Sequence, residues 1–246
     1  MDMSRVVIVA ALEREVKPLV KSWRVSEKEH AGRRFRFFAQ DDVVLVCGGI
    51  GAEAARRAAE AVIATFAPAV VYSVGFAGAL EPALKAGDVV QPEQVIDAGD
   101  GSRVKLSGGK GILVSFGSVA TPAQKAKLQK SFGAQFVDME AAGVARAAEA
   151  RGVEFAAVKA ISDEFNFEFP AMARFVDSDG SFRQTRFAAY AALRPWLWPK
   201  VRTLAINSNL AARALCHWLE SSLNRMTADQ TIAGAPEQKL EATHRP

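Results

Sequence analysis

Residues 43–66 read VVLVCGGIGAEAARRAAEAVIATF, and this stretch determines the fold class that we predict. Val43–Cys47 is apolar throughout, which indicates a strand that is buried on both faces of a sheet. Ala52–Phe66 has apolar residues at three- and four-residue spacing and is followed by Pro68, which predicts an amphipathic helix that ends near Phe66. Glycines separate the two segments and predict a tight turn. The stretch is therefore a strand, a turn and a helix.

The same pattern recurs along the chain, where apolar runs are separated by amphipathic segments. The other predicted strands are 6–11, 69–74, 112–114 and 155–160. The other predicted helices are 139–150, 181–193 and 199–219. Strands that alternate with helices indicate βαβ units, so we expect an α/β fold with a largely parallel sheet on which the last two helices pack. Ligands of such sheets bind at the carboxyl ends of the strands.

The composition is that of an ordinary globular protein and excludes several functions. The 31 lysines and arginines are scattered and exceed the acidic residues by only four, so we expect no nucleic-acid partner. Cys47 and Cys216 lie far apart and the chain has three histidines, so we expect neither a disulfide framework nor a metal site. The first apolar run is too short for a signal peptide or a spanning helix, which predicts a cytoplasmic protein.

The turn at 48–54 matches a variant of the dinucleotide-binding fingerprint, with Gly49, Gly51 and Ala54 at the fingerprint positions. That site also needs an acidic residue at the end of the next strand, where this chain has Ser73 and Gly75. A nicotinamide-dependent dehydrogenase is therefore disfavoured. Two interpretations stay open: the glycines permit a tight turn, or the amides of the turn face a polar ligand.

Three carboxylates occupy equivalent positions, each where a predicted strand ends or a predicted helix begins. They are Glu15, Glu140 and Asp163. Because these ends meet at one edge of a parallel sheet, we expect the three side chains to face one crevice. Alternatively, each is an acid of a first helical turn, stabilised by the helix dipole, or a solvated loop residue.

Five short motifs lie around these residues: ALEREV at 11–16, GIG at 49–51, GFAG at 75–78, VDMEA at 137–141 and AISD at 160–163. In this order they resemble the motifs of the nucleoside phosphorylase/nucleosidase superfamily. The branch that they match most closely is that of the methylthioadenosine/S-adenosylhomocysteine nucleosidases. The resemblance implies a single three-layer domain at 1–225, with a central mixed, mostly parallel sheet flanked by helices. Residues 226–246 are polar, which predicts a flexible tail.

The resemblance also implies roles for the matching residues. Asp163, positioned by Ser162, would protonate the leaving purine, and Glu15 would activate water. An aspartic acid that donates a proton at neutral pH needs a pKa raised by burial or by a nearby negative charge. Glu140 would bind the ribose hydroxyls, with Met139 beneath the sugar. The remaining members of the predicted substrate site are Gly51, Phe76 and Gly78.

Departures from the superfamily pattern bear on the nucleophile. Its phosphorylases bind phosphate through arginine and serine side chains, whereas this chain has Ser73, Phe76 and the acidic run 13–15 at those places. This difference favours water as the nucleophile. Phe76 also replaces a polar residue of the adenosylhomocysteine nucleosidases, and the base-stacking phenylalanine expected near 117–120 is missing.

The carboxy-terminal third contains the segments FRQTRF at 182–187, LRPWLWP at 193–199 and NSNLAARAL at 207–215. These segments resemble the hopanoid-associated phosphorylases, which implies adenosylhopane, a nucleoside with a large apolar 5′ substituent. Aromatic residues of this region would then form an apolar wall or mouth beside the 5′ end of the nucleoside, or else they pack in the core. They are Phe165, Phe167, Phe169, Phe175, Trp196 and Trp198. Basic residues of the region would favour peripheral contact with a membrane. They are Arg183, Arg186, Arg194, Lys200 and Arg202.

Together these features predict an enzyme that cleaves the N-ribosidic bond of an adenine nucleoside with a bulky or hydrophobic 5′ substituent and releases adenine. It would need no cofactor, with phosphate as a co-substrate only if the reaction is phosphorolytic. The alternatives are a phosphate-dependent purine nucleoside phosphorylase, a methylthioadenosine/S-adenosylhomocysteine nucleosidase and a non-catalytic nucleoside-binding protein. The superfamily resemblance also implies a homodimer.

Overall fold

In the computed structural model of the protein, the chain is described over residues 6–168, 172–177 and 180–233, with the side chains of 172–173 and 224–233 omitted. The strands are β1 (Val6–Ala10), β2 (Arg24–His30), β3 (Arg33–Gln40), β4 (Val43–Cys47), β5 (Val70–Ala79), β6 (Val89–Val90), β7 (Gln94–Asp97), β8 (Arg103–Lys105), β9 (Ile112–Ser115), β10 (Phe136–Asp138) and β11 (Glu154–Asp163). The α-helices are α1 (Glu13–Val20), α2 (Ala52–Phe66), α3 (Pro122–Phe132), α4 (Ala141–Glu149), α5 (Gln184–Ala192) and α6 (Trp198–Ala233).

The strands form one mixed sheet, in which the longest path of neighbours is β2-β3-β4-β1-β5-β10-β9-β7-β8. Strand β5 organises the centre, because β1 and β11 both pair with it in parallel while β10 pairs antiparallel with its end. Val137 of β10 lies opposite Gly78 of β5, so the chain that follows β10 runs back along β5 towards the end of β1. This path brings the residues after β10 close to those after β1.

Helices cover both faces of the sheet. On β1, Val7 and Val9 pack in a core cluster with residues of α2 and α4, whereas Ile8 and Ala10 pack in a second cluster with residues of α1 and α6. Successive residues of a strand point to opposite faces, so a strand buried on both faces is apolar at every position. The predicted α/β fold with a mixed sheet flanked by helices is confirmed.

The helices after β11 differ from their predicted bounds. Helix α6 runs from Trp198 to Ala233, past residue 226 where the sequence predicts the tail to begin. Residues 234–246 of the predicted tail lie outside the described residues, and the division at 226 stays a prediction. Within the described ranges, none of the helices combines the length and the apolar content that crossing a bilayer requires.

Helices α2 and α4 pack with very little separation at Gly143. A Cβ atom at this position would lie 2.0 Å from the backbone oxygen of Ala52, in the first turn of α2. Only glycine permits this approach, and the contact places the start of α2 directly beside α4.

We expect Gly143→Ala to lower the free energy of unfolding by roughly 1–3 kcal/mol, the usual cost of overpacking a core. Urea denaturation followed by circular dichroism measures the change. Gly117→Ala is the matched control, because a Cβ atom there has no neighbour within 4 Å. Equal stabilities for the two variants would contradict the close packing of α2 on α4.

Candidate active site

A cavity of about 300 Å³ lies where β1, β5, β10 and β11 end. It contains seven of the eight predicted site residues: Glu15, Phe76, Gly78, Met139, Glu140, Ser162 and Asp163. The eighth, Gly51, donates its backbone N–H to Glu140 Oε1 at 2.8 Å. The amide of this turn therefore holds a side chain of the site, and Gly51 supports the cavity wall from behind.

Glu15 is buried, with 5% of its surface exposed, in the first turn of α1. Burial raises the pKa of its carboxyl group to about 7, although attraction to Arg14 and Lys159 acts in the opposite direction. The backbone of β5 allows this position, because a Cβ atom at Gly75 would lie only 2.8 Å from Glu15 Oε2. Near neutral pH such a group changes its protonation state easily, which suits a general base.

Glu140 precedes α4 and is held by backbone donors on both carboxylate oxygens. Oε1 accepts from the N–H of Gly51, and Oε2 accepts from the N–H of Met139 at 3.2 Å. Burial and the negative charges of Asp138 and Glu15 raise the pKa of Glu140 to about 8. The site therefore carries two neighbouring carboxyl groups that titrate near neutral pH.

Met139 and Glu140 are positioned by a buried ionic cluster behind them. Lys159 of β11, 1% exposed, lies with its Nζ 2.9 Å from Asp138 Oδ2 and donates to Ser73 Oγ at 3.0 Å. Asp138 also accepts from Ser115 Oγ at 2.6 Å and from the N–H of Ala141 at 2.9 Å. The cluster fixes the backbone at the point where β10 passes into α4.

Asp163 also lines the cavity and lies against Gly78 of β5, where the pairing of β11 with β5 has an irregularity. Its Oδ1 accepts from Ser162 Oγ at 3.0 Å, and its Oδ2 contacts the Nζ of Lys125. Glu164 points elsewhere, since its carboxylate lies 3.5 Å from Lys85 Nζ at the surface. The charged side chain in contact with Asp163 is therefore the cation Lys125, and Glu164 brings no negative charge against it.

Sequence reasoning missed Lys125, whose side chain is fully buried and lines the cavity. A signal for it exists, because Thr121 and Gln124 form a capping box that marks the start of α3. Given that start, Lys125 and the buried Leu128 are three residues apart and share one face of the helix. A lysine on the apolar face of a helix is the pattern that indicates a buried cation.

The structure separates the aromatic residues that were predicted to form a wall or mouth or to pack in the core. Phe167 lines the cavity, but Phe165 does not, and Phe175 is buried against the rings of Phe187 and Tyr190. Trp196 and Trp198 lie on the surface, 71% and 56% exposed, so they are not core residues. Phe169 lies outside the described residues. Besides alanines, the apolar side chains that line the cavity are Leu12, Ile50, Phe76, Val119, Val137, Met139, Phe167, Val176, Phe182 and Leu204.

The segment in which the superfamily resemblance predicts a base-stacking ring also lines the cavity. Ser118, Val119 and Ala120 form this part of the wall and present small side chains. Among the described residues, no group of three or more His, Cys, Asp and Glu side chains is close enough to hold a metal ion. Cys47 is half-buried, Cys216 is buried, and both are free thiols.

Comparisons with known proteins show what this chain resembles in sequence and in fold. A family model for the phosphorylase superfamily matches residues 5–122 and 110–191. A 5′-methylthioadenosine/S-adenosylhomocysteine nucleosidase of Marinomonas sp. (strain MWYL1) is 33% identical over 98 residues, which cover 38% of this chain and 42% of that protein. The matched segment thus spans less than half of the relative's length.

Two solved structures have the same fold. A 5′-methylthioadenosine/S-adenosylhomocysteine nucleosidase of Helicobacter pylori has a TM-score of 0.68 at 18% identity, over 92% of this chain and all of that one. A futalosine hydrolase of Helicobacter pylori has a TM-score of 0.67 at 17% identity, over 90% of this chain and 98% of that one.

The raised pKa of Glu15 predicts how stability depends on pH. Between the ordinary pKa of 4.5 and the folded-state pKa of about 7, the folded protein keeps a proton that the unfolded chain has lost. The wild-type protein therefore loses stability as the pH rises through this interval, because it must bury a charge. Glutamine carries no charge at any of these pH values.

We expect Glu15→Gln to raise the free energy of unfolding by roughly 2–4 kcal/mol at pH 8 and to leave it unchanged near pH 4. Urea denaturation across this pH range measures the difference. Glu13→Gln is the matched control, because Glu13 lies in the same helical turn but its side chain is 44% exposed and paired with Arg36. A gain that does not depend on pH would contradict the raised pKa of Glu15.

Proposed function

The chain belongs to the phosphorylase superfamily, and on that premise we propose that it cleaves the N-ribosidic bond of an adenine nucleoside and releases adenine. The observation that carries the proposal is one cavity lined by all four of these side chains: Asp163, Ser162, Glu15 and Glu140. Asp163 lies against Gly78 of β5 and Glu15 lies against Gly75, three residues away on the same strand. The cavity can therefore protonate a leaving group and activate a nucleophile at the same time, as glycoside cleavage requires.

In the proposed reaction the bond between the base and the anomeric carbon breaks, and its electron pair goes to the base. The Asp163 end supplies the proton that lets adenine leave as a neutral molecule. A water molecule adds to the anomeric carbon and gives a proton to Glu15, whose pKa of about 7 suits a general base at neutral pH. Glu140 accepts hydrogen bonds from the ribose hydroxyls, and the reaction needs no cofactor.

Water is the nucleophile that the surroundings of Glu15 favour. A phosphate dianion in place of this water would lie beside two acidic side chains, Glu15 and Glu140, and would have no contact with Ser73, which is already bound to Lys159. One observation supports the alternative of a phosphorolytic reaction: Arg14 also lines the cavity, with its guanidinium 5.0 Å from the ring of Phe182. A guanidinium is a good phosphate ligand.

The wall of the cavity supports a substrate with a hydrophobic 5′ group, such as an adenosylhopane-like nucleoside. Phe167, Val176, Phe182 and Leu204 contribute apolar surface from segments that follow β11. Burying apolar surface contributes roughly 25 cal/mol per Å², so a long hydrocarbon adds several kcal/mol where a hydroxyl adds almost nothing. A methylthioadenosine/S-adenosylhomocysteine nucleosidase is the alternative with a smaller, sulfur-containing 5′ group.

We expect adenine release in phosphate-free buffer, with a kcat/KM at least about tenfold higher for 5′-alkylthioadenosines of long chain than for adenosine or methylthioadenosine. Chromatography of released adenine measures both. Strict phosphate dependence would replace hydrolysis by phosphorolysis. Nucleoside binding without base release from any substrate would favour the non-catalytic binding protein.

A pair of variants on one helix tests the apolar wall. Leu204 lines the cavity, whereas Ile206 is exposed on the outer side of α6. Leu204→Asn should remove the preference for long alkyl groups, and Ile206→Asn should leave it unchanged. Equal effects of the two substitutions would contradict a substrate wall at Leu204.

We also propose peripheral contact with an anionic membrane, through exposed residues of the segments that follow β11, which we call the basic apolar face. Its exposed apolar residues are Leu193, Trp196, Trp198, Ile206 and Leu210. Residues 181–219 contain six lysines and arginines and no acidic residue, whereas the rest of the chain holds 25 basic and 27 acidic residues. Exposed tryptophans among basic residues suit the headgroup region of an anionic bilayer.

Vesicle sedimentation tests this contact. We expect the protein to bind phosphatidylcholine vesicles that contain phosphatidylserine and not vesicles of phosphatidylcholine alone, and a Trp196→Ser/Trp198→Ser variant to bind about tenfold less. Val25→Ser is the control, since Val25 is exposed on β2, outside the basic apolar face. Absence of vesicle binding, together with self-association that the tryptophan variant loses, would show that this face joins two copies. The predicted homodimer stays a prediction.

A further inference from the structure

Lys125 is fully buried and contacts Asp163, a proposed catalytic residue. It lies outside the five sequence motifs that resemble the superfamily. Its ammonium contacts Asp163 Oδ2 and donates to the backbone oxygen of Glu164 at 2.8 Å. Burying a charge requires desolvation, and a buried ammonium without a partner is strongly destabilising. The chain nevertheless places this lysine at the cavity, between α3 and the end of β11.

The pairing brings a proton donor to the end of the cavity where the proposed reaction needs one. An ammonium has three N–H donors and no acceptor, whereas a carboxylate accepts. The Nζ of Lys125 contacts Asp163 Oδ2, and Ser162 Oγ donates to the other oxygen of Asp163. A base that leaves beside Asp163 can therefore obtain its proton from Lys125 through this pair.

We infer that Lys125 is the proton store for the leaving base and acts through Asp163. This inference rests on the proposed function. As the bond to ribose breaks, an N–H bond of Lys125 breaks and its proton passes to Asp163, which delivers a proton to the ring nitrogen of adenine. The electron pair of the broken bond stays on the base. Lys125 is left as a neutral amine and takes a proton from water once adenine has left.

The surroundings fix Lys125 for this role. The capping box of Thr121 and Gln124 holds the first turn of α3, from which Lys125 projects. The backbone oxygen of Glu164 orients the ammonium, and Ser162 Oγ holds the other oxygen of Asp163. By contrast, Lys127 on the same helix is exposed. It provides a matched control.

Two kinds of leaving group separate proton supply from a structural role. Adenine needs a proton in order to leave, whereas 4-nitrophenolate leaves as a stable anion. We therefore compare an adenine nucleoside with a 4-nitrophenyl β-D-riboside that carries the same 5′ substituent. Lys125→Met should lower kcat for the nucleoside by about 10²–10⁴-fold, the usual range for general-acid catalysis, and change kcat for the nitrophenyl riboside by less than about tenfold.

Asp163→Asn should show the same selective loss as Lys125→Met, because both substitutions interrupt the same proton transfer to adenine. Lys127→Met should leave both substrates unaffected. If Lys125→Met does not fold, Lys125→Arg retains a cation at Asp163, and its guanidinium does not give up a proton. This variant should keep nucleoside affinity and lose nucleoside turnover alone.

Equal losses on the two substrates, or full nucleoside turnover in both Lys125 variants, would overturn the inference and leave the proposed function standing. A wild-type protein that cleaves neither substrate would overturn the proposed function and this inference together. The two failures are therefore distinguishable in one set of assays.

Discussion

The buried ion pair between Lys159 and Asp138 is the interaction on which the site depends. It joins β11 to β10, and the contact of Lys159 with Ser73 adds β5, so one ammonium connects the three strands that meet at the cavity. Removing one partner of such a pair costs roughly 3–5 kcal/mol, because the other charge is left buried and uncompensated. The pair therefore couples the positions of the central strands, because neither charge can be moved away without leaving the other one buried alone.

The same ammonium also acts on the chemistry. Its positive charge lowers the pKa values of Glu15 and Glu140, which burial raises. For Glu15 the attraction to Arg14 acts in the same direction, so two cations oppose the effect of burial on this carboxyl group. One buried lysine thus serves the geometry of the strands and the charge state of the acids, which lie on different segments of the chain.

Much of the fold could be predicted because its central elements have strong patterns. Strands β1 and β4 are apolar throughout, and α2 was predicted with the observed bounds. Strand β2 was missed, since Arg24–His30 is almost wholly exposed and pairs only with β3 through backbone bonds. Strand β10 has three residues, too few to show a period. Elements that depend on neighbours for their stability leave little trace in their own sequence.

The candidate site follows the same rule. Its carboxylates could be found because acids and glycines recur at strand ends, and the sheet brings those ends together. Lys125 could not be assigned to Asp163 from the sequence, because the contact joins residues that are 38 positions apart. The location of the aromatic residues could not be predicted for another reason. Phe175 and Trp196 are both large and apolar, yet Phe175 is buried in the core and Trp196 is exposed. Apolar character alone does not distinguish wall, core and surface.

Within less than four turns, helix α6 has residues that line the cavity, residues that face solvent and residues that pack in the core. Leu204 and Ser208 line the cavity, Ile206 and Leu210 face solvent, and Ala211 and Leu215 are buried in the core. Each residue added to or removed from a helix rotates everything beyond it by about 100°. A single insertion between Leu204 and Ala211 would therefore turn all later residues away from the sides of the helix that they now occupy. The segment between Leu204 and Leu215 can therefore change its residues but not its length if all three faces are to be kept.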